Sequence, residues 1–237
     1  MNQRFLAAEW RKLIMANYTI DPSLLEPYLP VKTELDAWQG NYYVSLVGFM
    51  FKDVRVKGFR IPFHVDFPEV NLRFYVRRLE NGKWKRGVVF IREIVPRPAI
   101  TLVANMLFKE RYMTLPMKFT LQTDDSTSQV NYGWKSAGRW NGLEVRSPKT
   151  PLKLIDGSME EFITEHFWGY SFINKNKTGE YRVDHPRWDV YEITEYRADC
   201  DFAGLYGKEF GFLQTQTPHS VFMAEGSPVS VYHKKII

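Results

Sequence analysis

The chain has 237 residues, 44% hydrophobic, 25% charged and 16% aromatic, with a formal net charge of +5. This is the balance of an ordinary globular protein, and it excludes a disordered or low-complexity chain. Basic and acidic residues alternate along the whole length. A nucleic-acid footprint, which needs clustered Lys and Arg, is therefore not expected.

Met1 to Leu13 has no apolar signal core, and the longest apolar run, Tyr42 to Phe51, is far short of a membrane span. The single cysteine, Cys200, excludes an intrachain disulfide and fits a reducing compartment. The chain reads as soluble and cytoplasmic, without a membrane partner. Acidic Asp199 and Asp201 flank Cys200. They would raise its pKa, which argues against a nucleophilic thiol.

In chain order, residues 5–18 carry apolar residues at helical spacing, with Leu6, Trp10, Leu13 and Ile14 on one stripe. The second part, Leu13 to Ile20, reads equally as a strand. Asp21 is an N-cap before Pro22, so Pro22 to Leu29 is predicted as a short helix. Leu35 to Trp38 and Asn41 to Val56 read as strands, the second with a bend or bulge at Gly48.

Pro68 to Pro98 reads as two long strands joined at Asn81-Gly82, a strong hairpin signal. With those two residues as the loop, Arg73 faces Phe90, Asn71 faces Arg92 and Glu69 faces Ile94. Alternation puts Val70, Leu72, Phe74, Val76, Val89 and Ile91 on a core face that ends at Glu93. The opposite face carries Glu69, Asn71, Arg73, Tyr75 and Arg92. Aromatic residues interleave its charges, so it is either a solvated face with cross-strand ion pairs or the lining of a polar cavity.

Pro98 opens a predicted helix reaching about Arg111. Met117 to Thr123 and Gln129 to Lys135 form a second hairpin, followed by a strand over Arg139 to Arg146. Ser158 and Glu161 make a capping box for a helix over Met159 to His166. Strands are expected over Phe167–Ile173, Tyr181–Asp184, Trp188–Ala198, Ser220–Ala224 and Val229–Tyr232, with a helical piece near Asp201–Gly207. No linker or repeat interrupts residues 1–237, which read as one domain. The expected class is α+β, mostly β: an antiparallel barrel or cone with helices outside.

No G-x-S-x-G elbow, glycine-rich phosphate loop or Rossmann fingerprint occurs, so no cofactor is expected. The histidines lack ligand spacing, so no metal is expected either. His166 ends a helix, where a protonated imidazole is stabilised, and a structural role is assigned to it. Lys118 lies among apolar residues, but alternation turns it outward.

The order W-R-K-L, N-Y, D-P-S-L-L, T-E-L-D-A-W, V-S-L-V-G-F, E-V-N-L-R-F-Y-V, R-G-V-V-F-I-R-E and A-N…Y resembles the YqjF-like uncharacterised proteins. The match is good over residues 9–112 and loose beyond. Those proteins are similar in fold to acetoacetate decarboxylase, so the resemblance implies a cone with an internal cavity. It also favours strand over Leu13 to Ile20.

The decarboxylase's catalytic lysine pair falls on Ala99 and Ile100, which leaves no Schiff-base nucleophile at that place. Its active-site arginine falls on Arg11, which matches, and its active-site glutamate falls near Val56, which does not. The resemblance thus implies a pocket whose chemistry is lost or changed.

The expected ligand-binding residues are Glu69, Asn71, Arg73, Arg92, Arg11 and Glu93, with Arg11 also expected to pair with a buried Glu93. The expected partner is a small carboxylate- or carbonyl-bearing molecule. Two alternatives stay open: a decarboxylase-like lyase using Lys118, and a non-enzymatic interaction module.

Overall fold

In the computed structural model, which describes residues 3–237, strand far outweighs helix. The first half runs β1 (Arg4–Thr19), β2 (Glu34–Leu35), β3 (Tyr43–Val56), β4 (Phe59–Arg60), β5 (Phe67–Glu80), β6 (Lys83–Val95), α1 (Pro98–Leu107) and β7 (Tyr112–Thr114). Then come β8 (Met117–Thr123), β9 (Thr127–Ser136), β10 (Arg139–Pro148), α2 (Met159–Thr164), β11 (Trp168–Asn174) and β12 (Lys177–Asp184). The chain closes with β13 (Val190–Tyr191), β14 (Glu195–Asp199), α3 (Phe202–Tyr206), β15 (Ser220–Tyr232) and β16 (Lys235–Ile236).

The larger sheet is ordered β13-β15-β1-β3-β5-β6-β11-β12-β16. Val183 also pairs with Val231 and Asp184 with Ser230, so β12 returns to β15 and the sheet curls round on itself. A smaller sheet, β14-β10-β9-β8, packs against it. Val130, Tyr132, Trp134, Leu143 and Val145 from the small sheet share one core with Ile14, Leu46, Leu72 and Phe74 from the large one. The class is α+β, mostly β, as the alternation predicts.

β1 is a strand throughout, so the helical reading of its first half is wrong. Its second half is buried on both faces, and a doubly buried strand carries near-continuous apolar residues that imitate a helical stripe. Between Arg11 and Ile14 its register with β3 shifts, and Lys12 takes a φ of 54° there. Gly48 of β3, where a bend was expected, pairs with Ile14 at that shift. A side chain at Gly48 would press on the Tyr132 ring at 2.8 Å.

Asp21 does accept from the Ser23 amide, but the following segment is two short 3-10 turns, Pro22–Leu24 and Glu26–Tyr28. Pro27 cannot donate to a continuing helix. Ser158 accepts from Glu161, yet the helix stops at Thr164. Trp188–Ala198 splits into β13 and β14, whereas the two expected C-terminal strands fuse into β15.

The central hairpin forms with Asn81 and Gly82 at φ 51° and 74°, the positive values a type I′ turn requires. Its register is as predicted from Glu80–Lys83 up to Arg73–Phe90. There a β-bulge intervenes, and the pairs become Leu72–Arg92, Asn71–Glu93 and Val70–Ile94. The extra residue, Ile91, shifts everything after it to the other face. Glu93 therefore joins Glu69 and Asn71, and Arg92 leaves them.

Candidate functional site

β5 and β6 build one wall of a cavity of about 230 Å³. Glu69, Asn71 and Arg73 come from β5, at spacing two on one face; Val88, Phe90 and Glu93 come from β6. The polar face of the hairpin is thus a cavity lining rather than a solvated surface. Ile61, Ala99 and Val103 line the cavity and are exposed, so it opens beside α1 and the 58–66 segment. The remaining wall is largely aromatic, with Trp10, Phe49, Phe51, Trp168 and Trp188.

Three carboxyl groups line this space: Glu69, Glu93 and Glu110. Asn71 donates to Glu69 Oε1 at 3.0 Å and the Tyr112 hydroxyl to Glu69 Oε2 at 3.0 Å. Tyr112 also lies against Glu93. Tyr181 donates to Glu110 Oε1 at 3.0 Å. Burial pushes Glu69 up to about 7, although both donors and Arg73 oppose it. Burial pushes Glu110 up to about 8. Glu93 is raised well above the usual carboxylate range, first by burial and then by the charges of Glu110 and Glu69. Burial thus favours the protonated forms of these carboxyls, and a protonated carboxyl can donate as well as accept.

Four polar atoms on residues that line the cavity are buried without a hydrogen-bond partner among the described residues: Trp10 Nε1, Asn71 Oδ1, Arg73 Nε and Glu93 Oε2. Two are donors and two are acceptors. Such groups are rare in folded proteins, and each costs about 1–3 kcal/mol when unpaired. His166 Nδ1, on the same lining, is a fifth.

The predicted residues divide. Glu69, Asn71, Arg73 and Glu93 come together. Arg92 does not: it donates to the Leu205 carbonyl in α3, on the far side of the sheet. Arg11 is not the partner of Glu93; it pairs with Glu9 at 2.9 Å, beyond the bulge in β1. Tyr75 turns its hydroxyl to Ser45 at 2.6 Å and does not line the cavity. Lys118 is exposed, 4.6 Å from the Trp140 ring. Cys200 is buried, and burial with Asp201 and Asp199 nearby pushes its thiol up.

Sequence reasoning missed Glu110, Tyr112, Tyr181 and His166 as lining residues. A faint signal was present for Tyr112 in the A-N…Y spacing. Asn105 donates to the Tyr112 carbonyl at 3.0 Å and accepts from its amide at 2.7 Å, which fixes Tyr112 under the cavity. Burial disfavours the protonated form of His166 that its place after a helix suggested. Burial lowers it to about 4, despite its 3.3 Å contact with Asp36.

A family profile described as "Uncharacterized conserved protein (COG2071)" matches residues 7–228. The uncharacterized protein YqjF of Bacillus subtilis is 27% identical over 229 residues, covering 95% of this chain and 86% of that protein. Among solved structures, acetoacetate decarboxylase from Legionella pneumophila superposes with a TM-score of 0.63 at 14% identity, over 100% of this chain and 87% of that one. The enduracididine biosynthesis enzyme MppR complexed with pyruvate gives a TM-score of 0.68 at 10% identity, over 100% and 91%. At such identities the two structures share the fold.

Proposed function

The chain belongs to this family of uncharacterized conserved proteins, DUF2071, and we propose that it binds a small neutral carbonyl compound, without a covalent bond, in the cavity described above. The observation that carries this is the set of unpartnered donors and acceptors in one apolar enclosure. A carbonyl oxygen accepts from Arg73 Nε, Trp10 Nε1 or a protonated carboxyl, while the carbon skeleton lies against the aromatic wall.

A carboxylate ligand loses most of its support. Of Arg11, Arg73 and Arg92, Arg73 alone lines the cavity, and it shares that lining with three carboxyl groups. An added anion there is disfavoured by charge and by burial. A Schiff base finds no nucleophile: among the described residues, no lysine lines the cavity, and Ala99 and Ile100 stand at its rim. MppR, of similar fold, is complexed with the keto acid pyruvate, so the fold has held a carbonyl compound elsewhere.

Ligand-observed NMR with acetophenone and benzoate at pH 6 and 8 tests this reading. Acetophenone binds, and Arg73→Leu weakens it; benzoate binds at least about tenfold more weakly at pH 8. Borohydride leaves the mass of the protein unchanged in the presence of acetophenone. Equal or tighter binding of benzoate, or a reduced adduct on any lysine, overturns the reading.

A further inference from the structure

Glu93 lines the cavity and is 2% exposed, and its Oε2 has no partner among the described residues. A purely structural carboxyl would be expected to have both oxygens satisfied. Glu180 shows that this fold can do so: it is equally buried and is held by Arg78, Lys85 and Lys235. Glu93 faces Asn71 across the hairpin. Tyr112 lies against it while donating to Glu69. Two carboxyls thus meet at one tyrosine, one with its oxygens bonded and one with an oxygen free.

We propose that this cluster catalyses proton transfer at the carbon next to a carbonyl, interconverting a ketone and its enol, with Glu69 accepting the carbon-bound proton and Glu93 donating to the carbonyl oxygen. The inference rests on the binding reading above and adds a reaction to it. In the forward step Glu69, as the carboxylate that Asn71 and Tyr112 donate to, takes a proton from the α-carbon. The C–H pair becomes the new C=C bond, and the carbonyl π pair moves to oxygen, which takes the proton of Glu93. The product is the enol, an isomer of the ketone, and the reverse step returns both protons. No oxidant, metal or co-reactant is consumed. The apolar wall keeps bulk water from the reacting carbon and strengthens each hydrogen bond at the oxygen. Neighbouring carboxyls that raise one another's proton affinity suit one acid and one base at the same pH.

The test is hydrogen–deuterium exchange of cyclohexanone in D2O with the full chain, followed by loss of the α-proton signals. Binding is read in the same tube by saturation transfer. The wild type exchanges the α-protons faster than buffer alone, and faster as pH rises and Glu69 ionises. Glu93→Gln still binds cyclohexanone and loses at least about a hundredfold of the enzymatic rate. Glu93→Asp, which keeps an acid but withdraws it, falls between; it serves if the glutamine variant does not fold. Cyanoborohydride, which reduces an imine and spares the ketone, does not inhibit the exchange, which separates it from an imine route. Binding without exchange above buffer overturns the catalytic inference and leaves the binding reading standing. Exchange by Glu93→Gln at the wild-type rate overturns the assignment of Glu93. Absence of cyclohexanone binding overturns both.

Discussion

Buried carboxyls receive two treatments in this molecule. Glu180 is surrounded by cations, and they hold its pKa below the ordinary carboxylate value despite burial. Glu69 and Glu110 are surrounded by aromatic rings and hydroxyls, and they rise to about 7 and about 8 from an ordinary 4.5. The consequence for stability has a definite sign. Between 4.5 and these raised values the folded chain holds protons that the unfolded chain has released, so stability falls as pH rises. His166 acts oppositely but lower: it is about 4 folded against 6.5 ordinarily, so its contribution rises with pH only up to 6.5. Above 6.5 the carboxyls act alone. Urea midpoints should therefore decline from pH 6.5 to 8, with a slope of at most about 1.4 kcal/mol per pH unit per group. Glu110→Gln should flatten the decline. A midpoint constant or rising over that window would mean that these carboxyls are ionised in the folded state.

At the scale of elements, the hairpin shows where sequence reading ends. The turn residues and alternation give its strands, its turn and its register down to Arg73–Phe90. Nothing in the residues announces the bulge at Ile91, which is apolar, buried and at home in either register. That one residue is why Arg92 was placed in the cluster and Glu93 in the core. A similar limit hid Glu110 and Tyr112. The apolar period continues past α1, but the helix stops at Leu107, and Lys109 turns the chain at φ 56°. A helical reading through Arg111 leaves Glu110 at a solvated helix end instead of inside.

Tyr181 reaches Glu110 because its neighbour across the β11–β12 pair is Gly169. A Cβ at Gly169 would overlap the Tyr181 ring. Gly169→Ala should cost about 1–3 kcal/mol of stability through overpacking. It should also weaken acetophenone binding by displacing Tyr181. An alanine variant with wild-type melting temperature and affinity would show that this tyrosine moves aside freely.

For the whole molecule, the resemblance to the decarboxylase fold was legible from motifs in the first half of the chain, and the architecture agrees with it. The lining was legible only in part. Its wall residues come from β1, β3, β5, β6, α1, β7, α2, β11, β12 and β15 and from the loops between them, and their meeting depends on how the sheet curls. Strand periodicity says which residues share a face; it does not say which faces enclose one space. The central claim is that the unpartnered polar atoms of that space are there for a carbonyl ligand. A high-resolution crystal structure of the chain soaked with acetophenone tests it most directly. The account predicts one acetophenone in the cavity, its ring against the aromatic wall and its oxygen within hydrogen-bond distance of Arg73 Nε, Trp10 Nε1 or a carboxyl of the Glu69–Glu93 pair. A cavity that excludes acetophenone and holds ordered waters bridging Asn71 Oδ1, Arg73 Nε and Glu93 Oε2 would contradict it.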